Sequence, residues 1–184
     1  MKYILTFTFF LAVISGCGDA RPIPVSGKYQ KLPFHFTTRE STDAAWNRLL
    51  DFLQQNHIAI DHTDRSSGII TTKKISFLHD YTWENKDHRL VDPSAYIVCA
   101  RLRAPLTMSS TLDLEDVTGQ WQFWIKEDSG GLSVDISLTN ALAYSGGMEL
   151  SQWAKKNARR PESDQLVQST GVFEQKVQAA LRQS

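Results

Sequence analysis

The stretch Val117-Thr118-Gly119-Gln120-Trp121-Gln122-Phe123-Trp124-Ile125-Lys126-Glu127, followed after Asp128-Ser129-Gly130-Gly131 by Leu132-Ser133-Val134-Asp135-Ile136-Ser137-Leu138-Thr139-Asn140-Ala141-Leu142, decides the fold. In its first half Val117, Gly119, Trp121, Phe123 and Ile125 share one phase; in its second Leu132, Val134, Ile136 and Leu138 alternate with Ser133, Asp135, Ser137 and Thr139. Successive side chains of a strand point to opposite faces, so each half is a strand with one apolar side. The glycines between them can supply the positive φ of a hairpin turn. One dry face and one wet face is the pattern of an antiparallel sheet.

Working outward, two strands are expected at 57–63 and 69–77, joined by the turn residues Asp64-Arg65-Ser66-Ser67-Gly68. Another is expected at 95–104, with Tyr96, Val98, Ala100 and Leu102 toward the core and Ile97, Cys99, Arg101 and Arg103 on the other face. Before them, Ser41 or Thr42 can cap a helix over 42–56, in which Trp46, Leu49, Leu50 and Leu53 fall at i, i+3, i+4 and i+7. Near the C-terminus Phe173, Val177, Ala180 and Leu181 form a helical stripe. Gly171 inside a helix would cost about 1 kcal/mol relative to alanine. The helix is therefore placed from about Thr170 to Arg182, with 164–168 extended or loop. The order predicts an α+β domain: a curved antiparallel sheet of about five strands, with the N-terminal and C-terminal helices packed on one face and Trp46 and Phe123 in one core.

The N-terminus has one cation, Lys2, an apolar run from Tyr3 to Val13, and then the small residues Ser15 and Gly16. That order is a secretory signal. The run is shorter than the roughly 20 residues a membrane helix needs. Ile14-Ser15-Gly16-Cys17 resembles the lipobox of bacterial lipoproteins, which implies cleavage after residue 16 and acylation of Cys17. In that family the residue after the cysteine influences sorting. Gly18 there, with Asp19 one place later, implies the outer membrane, lipid-anchored and facing the periplasm, rather than the inner membrane. The expected organisation is a signal peptide at 1–16, a lipidated tether at 17–33 with Pro22, Pro24 and Pro33, and one periplasmic domain at 34–184.

Removal of residues 1–16 takes Lys2 away from 20 basic residues and leaves all 20 acidic ones. A chain so balanced lacks the basic surface that nucleic acid requires. With Cys17 acylated, Cys99 is the one remaining thiol.

Trp46 to Thr72 (WNRLLDFLQQNHIAIDHTDRSSGIITT) is similar to a helix followed by two strands found in envelope lipoproteins, including the BamC-type domains of the outer-membrane assembly machinery. Ser169-Thr170-Gly171-Val172-Phe173-Glu174 looks like a Cys-x-Ser-Thr-Gly-x-x-Glu stretch of small uncharacterised lipoproteins, in which that cysteine pairs with one on a central strand. The corresponding residue here is Val167, so the resemblance implies that Cys99 is the surviving half of a lost crosslink.

Few residues suggest chemistry. Cys99 could be a nucleophile beside Arg101 and Arg103, since cations lower a thiol pKa, but nothing local supplies a base or an oxyanion site. A small buried hydrophobe is the expected role. Histidines 35, 57, 62, 79 and 88 form no metal-binding motif, and His62 with Asp61 and Asp64 flanks a polar turn where solvated side chains are the default. The connection 78–93, with His79, Tyr81, Trp83 and His88, is long enough to be functional. Tyr81 and Trp83 could stack on a sugar or anchor a partner protein; alternatively Trp83 caps a sheet edge. In 148–160, Trp153 lies near Lys155, Lys156, Arg159 and Arg160, either as a contact to an anionic surface or as an ordinary solvated helix. Tyr81, Trp83 and Trp153 are thus the candidate partner-binding residues, with Cys17 the lipidation site. No catalytic, metal or cofactor residue is expected. The function expected is a non-catalytic, membrane-tethered domain that binds another envelope protein. The alternatives are a small apolar-ligand module with a cavity lined by Trp121, Phe123 and Leu138, and a periplasmic immunity-type inhibitor.

Overall fold

The computed structural model describes residues 20–103, 111–128, 131–156 and 165–182. The first elements are β1 (Arg21–Ile23), β2 (Phe34–Thr38), α1 (Thr42–Gln55), β3 (Ile60–Asp64), β4 (Ile69–Thr72) and β5 (Ile75–Ser76). They are followed by β6 (Tyr81–Thr82), β7 (Ile97–Cys99), β8 (Arg101–Arg103), β9 (Thr111–Leu112), β10 (Asp116–Asp128) and β11 (Gly131–Ser145). The chain ends with β12 (Met148–Glu149), α2 (Leu150–Lys156), β13 (Val167–Ser169) and α3 (Val172–Arg182). Cys17 with its lipobox, Ser129 and Gly130 of the hairpin turn, and Arg159 and Arg160 lie outside the described residues.

The fold is α+β and mostly antiparallel, but the described strands form three sheets where one of about five strands was expected. A seven-stranded sheet is built on the order β12-β11-β10-β4-β3, with β2 added to β11 and β5 to β10. The 117–142 hairpin is its spine. Val117, Trp121, Phe123, Ile125, Leu132, Val134 and Ile136 are all buried on one side, as their phase requires. Opposite Thr118 and Gln120 the ladder shifts by one residue. Asn140 takes the extra position at φ 51 and donates to the Gln120 side-chain oxygen at 2.6 Å. A bulge reverses the phase, so beyond it the buried set is Ala143 and Ser145 and the strand runs on to Ser145.

The strand expected at 69–77 is interrupted. Gln122 pairs with Thr71 and Gly119 with Ile75, which leaves Thr72, Lys73 and Lys74 opposite only Gln120 and Trp121. Buried Thr72 fills the gap in the ladder with its hydroxyl, which accepts from the Trp121 N–H at 2.9 Å. Gly68 ends the turn before β4 at φ +70, where an added Cβ would lie 1.9 Å from the Ile125 carbonyl oxygen. No other residue fits there.

Ser41 caps α1 by accepting from the Ala44 N–H. The helix closes with His57 at φ 55, its N–H on the Gln54 carbonyl and the Ile58 N–H on that of Leu53. Those two bonds are a Schellman ending, and β3 therefore begins only at Ile60. Trp46, Leu49 and Leu53 of α1 share one core with Phe123 and with Phe173, Val177 and Leu181 of α3. Gly171, at φ +90, stays outside α3.

The expected strand 95–104 leaves the main sheet. β7 is the central strand of a sheet ordered β13-β7-β6, and β8 joins a sheet ordered β1-β8-β9. Its proposed wet set was an error for Ile97 and Cys99, since Ile97, Val98, Cys99 and Ala100 are all buried. A run of five apolar residues from Tyr96 is what a strand covered on both faces contains. The tether reading of 17–33 also needs correction. Arg21–Ile23 pairs with β8, Ala20 and Val25 are buried, and the Val25 N–H donates to the Gln165 carbonyl. Prolines 22 and 24 do not prevent this, because β1 is an edge strand and a missing N–H costs nothing on the open side.

Cys99 and Val167 face each other directly across β7 and β13. The adjacent pairs carry the ladder bonds, Ala100 N–H to the Leu166 carbonyl and, two pairs further, Thr170 N–H to that of Tyr96. Cys99 and Val167 are therefore a non-hydrogen-bonded pair, for which Cα atoms stand about 4.5 Å apart, at the short end of the range of about 4.4 to 6.8 Å that disulfides span. Val167→Cys should form a bridge to Cys99 under oxidising conditions and stabilise the domain by about 2 to 4 kcal/mol. Thiol titration and a urea midpoint with and without reductant measure both effects; two free thiols after oxidation would contradict the register.

Candidate functional site

The connection 78–93 is a strand and a small hairpin. Tyr81 and Thr82 pair in parallel with Ile97 and Val98. The chain then turns back on itself, with Glu84 bridged to Leu90 and the Val91 N–H on the Trp83 carbonyl. Asn85 closes the tip by accepting the N–H groups of Asp87 and Arg89 on its side-chain oxygen. Tyr81 and Trp83 are consequently half-buried, their rings 6.0 Å apart and tilted by 48°. With Cys99, Ala100, Arg101, Asp113 and Leu114 they line a small recess of about 30 Å³.

A second, more apolar cleft of about 180 Å³ lies on the other side of Arg101, with Ile23, Pro24, Val25, Glu84 and His88 in its walls. Ile23 is 45% exposed and Val91, beside Trp83, is 52% exposed. Exposed apolar side chains and half-buried aromatics thus share one face, built from β1, β8 and the 83–91 hairpin. Glu84 holds that face together. Its carboxylate accepts the N–H groups of Ser26 at 2.9 Å and Gly27 at 2.6 Å and the Tyr29 hydroxyl at 2.8 Å, and lies 3.7 Å from the His88 ring. Burial alone would raise the Glu84 pKa; the donors outweigh it and hold the carboxyl below the ordinary glutamate value. Tyr29 is pushed up to about 12, by burial first and then by the carboxylate it serves.

A depressed carboxyl pKa contributes stability that is present above the unfolded-state value and is lost as pH falls through the folded-state value. Glu84→Gln should cost about 2 kcal/mol at pH 7, because hydrogen bonds to a charged group are the strong ones, and the difference from wild type should shrink between pH 5 and pH 3. Urea midpoints across that range measure it. A difference independent of pH would mean that shape and not charge matters at this position.

A third cleft, of about 340 Å³, larger than these two, opens where the 69–77 strand breaks. Its floor is Phe77, Trp121 and Phe173, and its lip carries Lys73, Lys74 and His57. The core itself is filled: Phe173 stacks on Trp121 at 4.2 Å and 15°, and Phe123 and Leu138 are buried behind them. The cavity expected among Trp121, Phe123 and Leu138 is therefore displaced to this edge, and of those three only Trp121 reaches it.

Trp153, like Tyr81 and Trp83, is half-buried. Its indole N–H donates to the Ser145 carbonyl at 3.0 Å, and its ring seats α2 on the core. Lys155 is exposed. Cys99 is 1% exposed, and burial pushes its thiol pKa up, against the activation that Arg101 and Arg103 could have provided. Asp64 spends its carboxylate on the hydroxyls of Ser66 and Ser67. Among the described residues no three of His, Cys, Asp and Glu gather as a metal site would require. No protein-family model matches the chain, and no curated protein matches it.

Two features were absent from the sequence reading. Glu84 binds partners 55 to 58 residues away, which no local pattern announces. The Lys73-Lys74 pair did carry a signal, since two adjacent charges interrupt the apolar run between Ile69 and Phe77.

Proposed function

We propose that this chain is a lipoprotein of the bacterial envelope, anchored through Cys17 to the outer membrane, whose periplasmic domain binds another envelope protein and catalyses nothing. The reading of the anchor rests on the leader and on its resemblance to a lipobox. The reading of the domain rests on the β1, β8 and 83–91 face, where Ile23 and Val91 are exposed around half-buried Tyr81 and Trp83. Aromatic anchors in shallow recesses ringed by apolar and charged residues are what protein interfaces use. The face also adjoins Ala20 and Arg21, where the chain comes in from Cys17, so a partner held there would sit close to the membrane.

Photo-crosslinking from Ile23 and from Val91 in intact cells tests it, with His62 on exposed β3 as the control. One shared adduct at the first two positions, absent at the third and lost in Trp83→Asp, is the expected result. Adducts of equal intensity at all three positions would defeat the assignment of this face.

A further inference from the structure

We infer that the cleft between the end of α1, the break after β4 and the start of α3 binds a small carboxylate with an aromatic body. This site is separate from the protein-binding face and its test does not depend on that reading. Two observations carry it.

The floor is aromatic and rigid. Phe77 meets the Trp121 ring edge-on at 6.1 Å, Phe173 stacks on Trp121, and Tyr96 closes the side at 5.5 Å from Phe173. With Ile58 and Ile75 these rings make the cleft an apolar recess for a ligand ring. The volume of about 340 Å³ falls within the range of small-molecule sites.

Second, the lip is cationic. Lys73 and Lys74 are exposed neighbours, forced out at the break in the strand, and neither forms an ion pair with a described residue. His57 stands beside them, and Asp80 is the single acid in the lining. Lys176 donates to the hydroxyl of Tyr96, a lining residue, at 2.9 Å and lies 4.7 Å from its ring centroid. A carboxylate at the lip and an apolar ring on the floor satisfy both halves at once.

The probe is 4-phenylbutyrate, titrated into the purified full chain and followed by the assigned indole N–H resonances of the five tryptophans. The expected result is saturable binding that moves the Trp121 resonance most. The uncharged 4-phenylbutanol should bind about tenfold more weakly, and so should the acid to the Lys73→Glu, Lys74→Glu variant, as loss of one charge-assisted contact implies. Both lysines are exposed, so that variant leaves the core alone. Ala59→Trp, at an exposed position in the lining, should fill the cleft and abolish binding. Any one of three results overturns the proposal: no saturation, equal affinity for the acid and the alcohol, or binding that survives Ala59→Trp.

Discussion

Phe173→Ala should lower the stability of the domain by about 3 to 5 kcal/mol, the usual cost of deleting a buried aromatic. Phe173 of α3 is 1% exposed and joins the main sheet, α1 and the segment that leads into β7. It stacks on Trp121, approaches Phe123 at 6.3 Å, meets Phe52 of α1 edge-on at 5.9 Å and contacts Tyr96 beside β7. Each such pair adds about 0.5 to 1.5 kcal/mol beyond area, and truncation removes all four. A domain with about 5 to 15 kcal/mol in hand should keep its fold but unfold at much lower urea. Phe52→Ala, at a half-buried position, removes only one of the four contacts and should cost less than half as much. Far-ultraviolet circular dichroism against urea provides both numbers. Equal losses in the two variants would show that Phe173 is not the junction of the core.

The second large effect is on location. Cys17→Ser should release the protein from membranes or leave the precursor uncleaved, because an acylated cysteine is the only strong anchor this reading contains. Each buried CH₂ contributes about 0.8 kcal/mol, so one chain binds marginally and several bind permanently. Among the described residues no helix is long and apolar enough to cross a membrane. Metabolic labelling with palmitate and fractionation of wild type and variant decide the matter. A wild-type protein that takes up no label and fractionates like the variant would remove the lipoprotein assignment, and with it the membrane-proximal partner.

How much of this was legible beforehand depended on the range of the interaction. Helix α1 was readable because capping at Ser41 and the stripe of Trp46, Leu49 and Leu53 act within one or two turns. The hairpin β10–β11 was readable because period-2 alternation is set by the backbone itself and the turn residues adjoin it. Phe34–Thr38 was missed as a strand: five residues after Pro33 with two phenylalanines in phase are too short to stand out, and only the open edge of β11 gives them a partner. The candidate partner residues Tyr81, Trp83 and Trp153 were chosen for their type, and type does not report burial. The fold half-buries all three, and the exposed apolar residues of that face are instead Ile23 and Val91.

By itself the sequence determined the elements whose causes are local: the two long helices, the central hairpin with its dry face, and the tight turn at Gly68. Only the tertiary structure decided which strands are neighbours. A strand's pattern states which faces are dry and says nothing of who covers them, so the apolar run 96–100 could not reveal that β7 is flanked by β13 and β6 instead of joining the main sheet. For the same reason residues 20–29 looked like a tether. Their anchors are the β8 edge, the Gln165 carbonyl and the Glu84 carboxylate, contacts of high sequence separation that form only once the rest of the chain has folded around them.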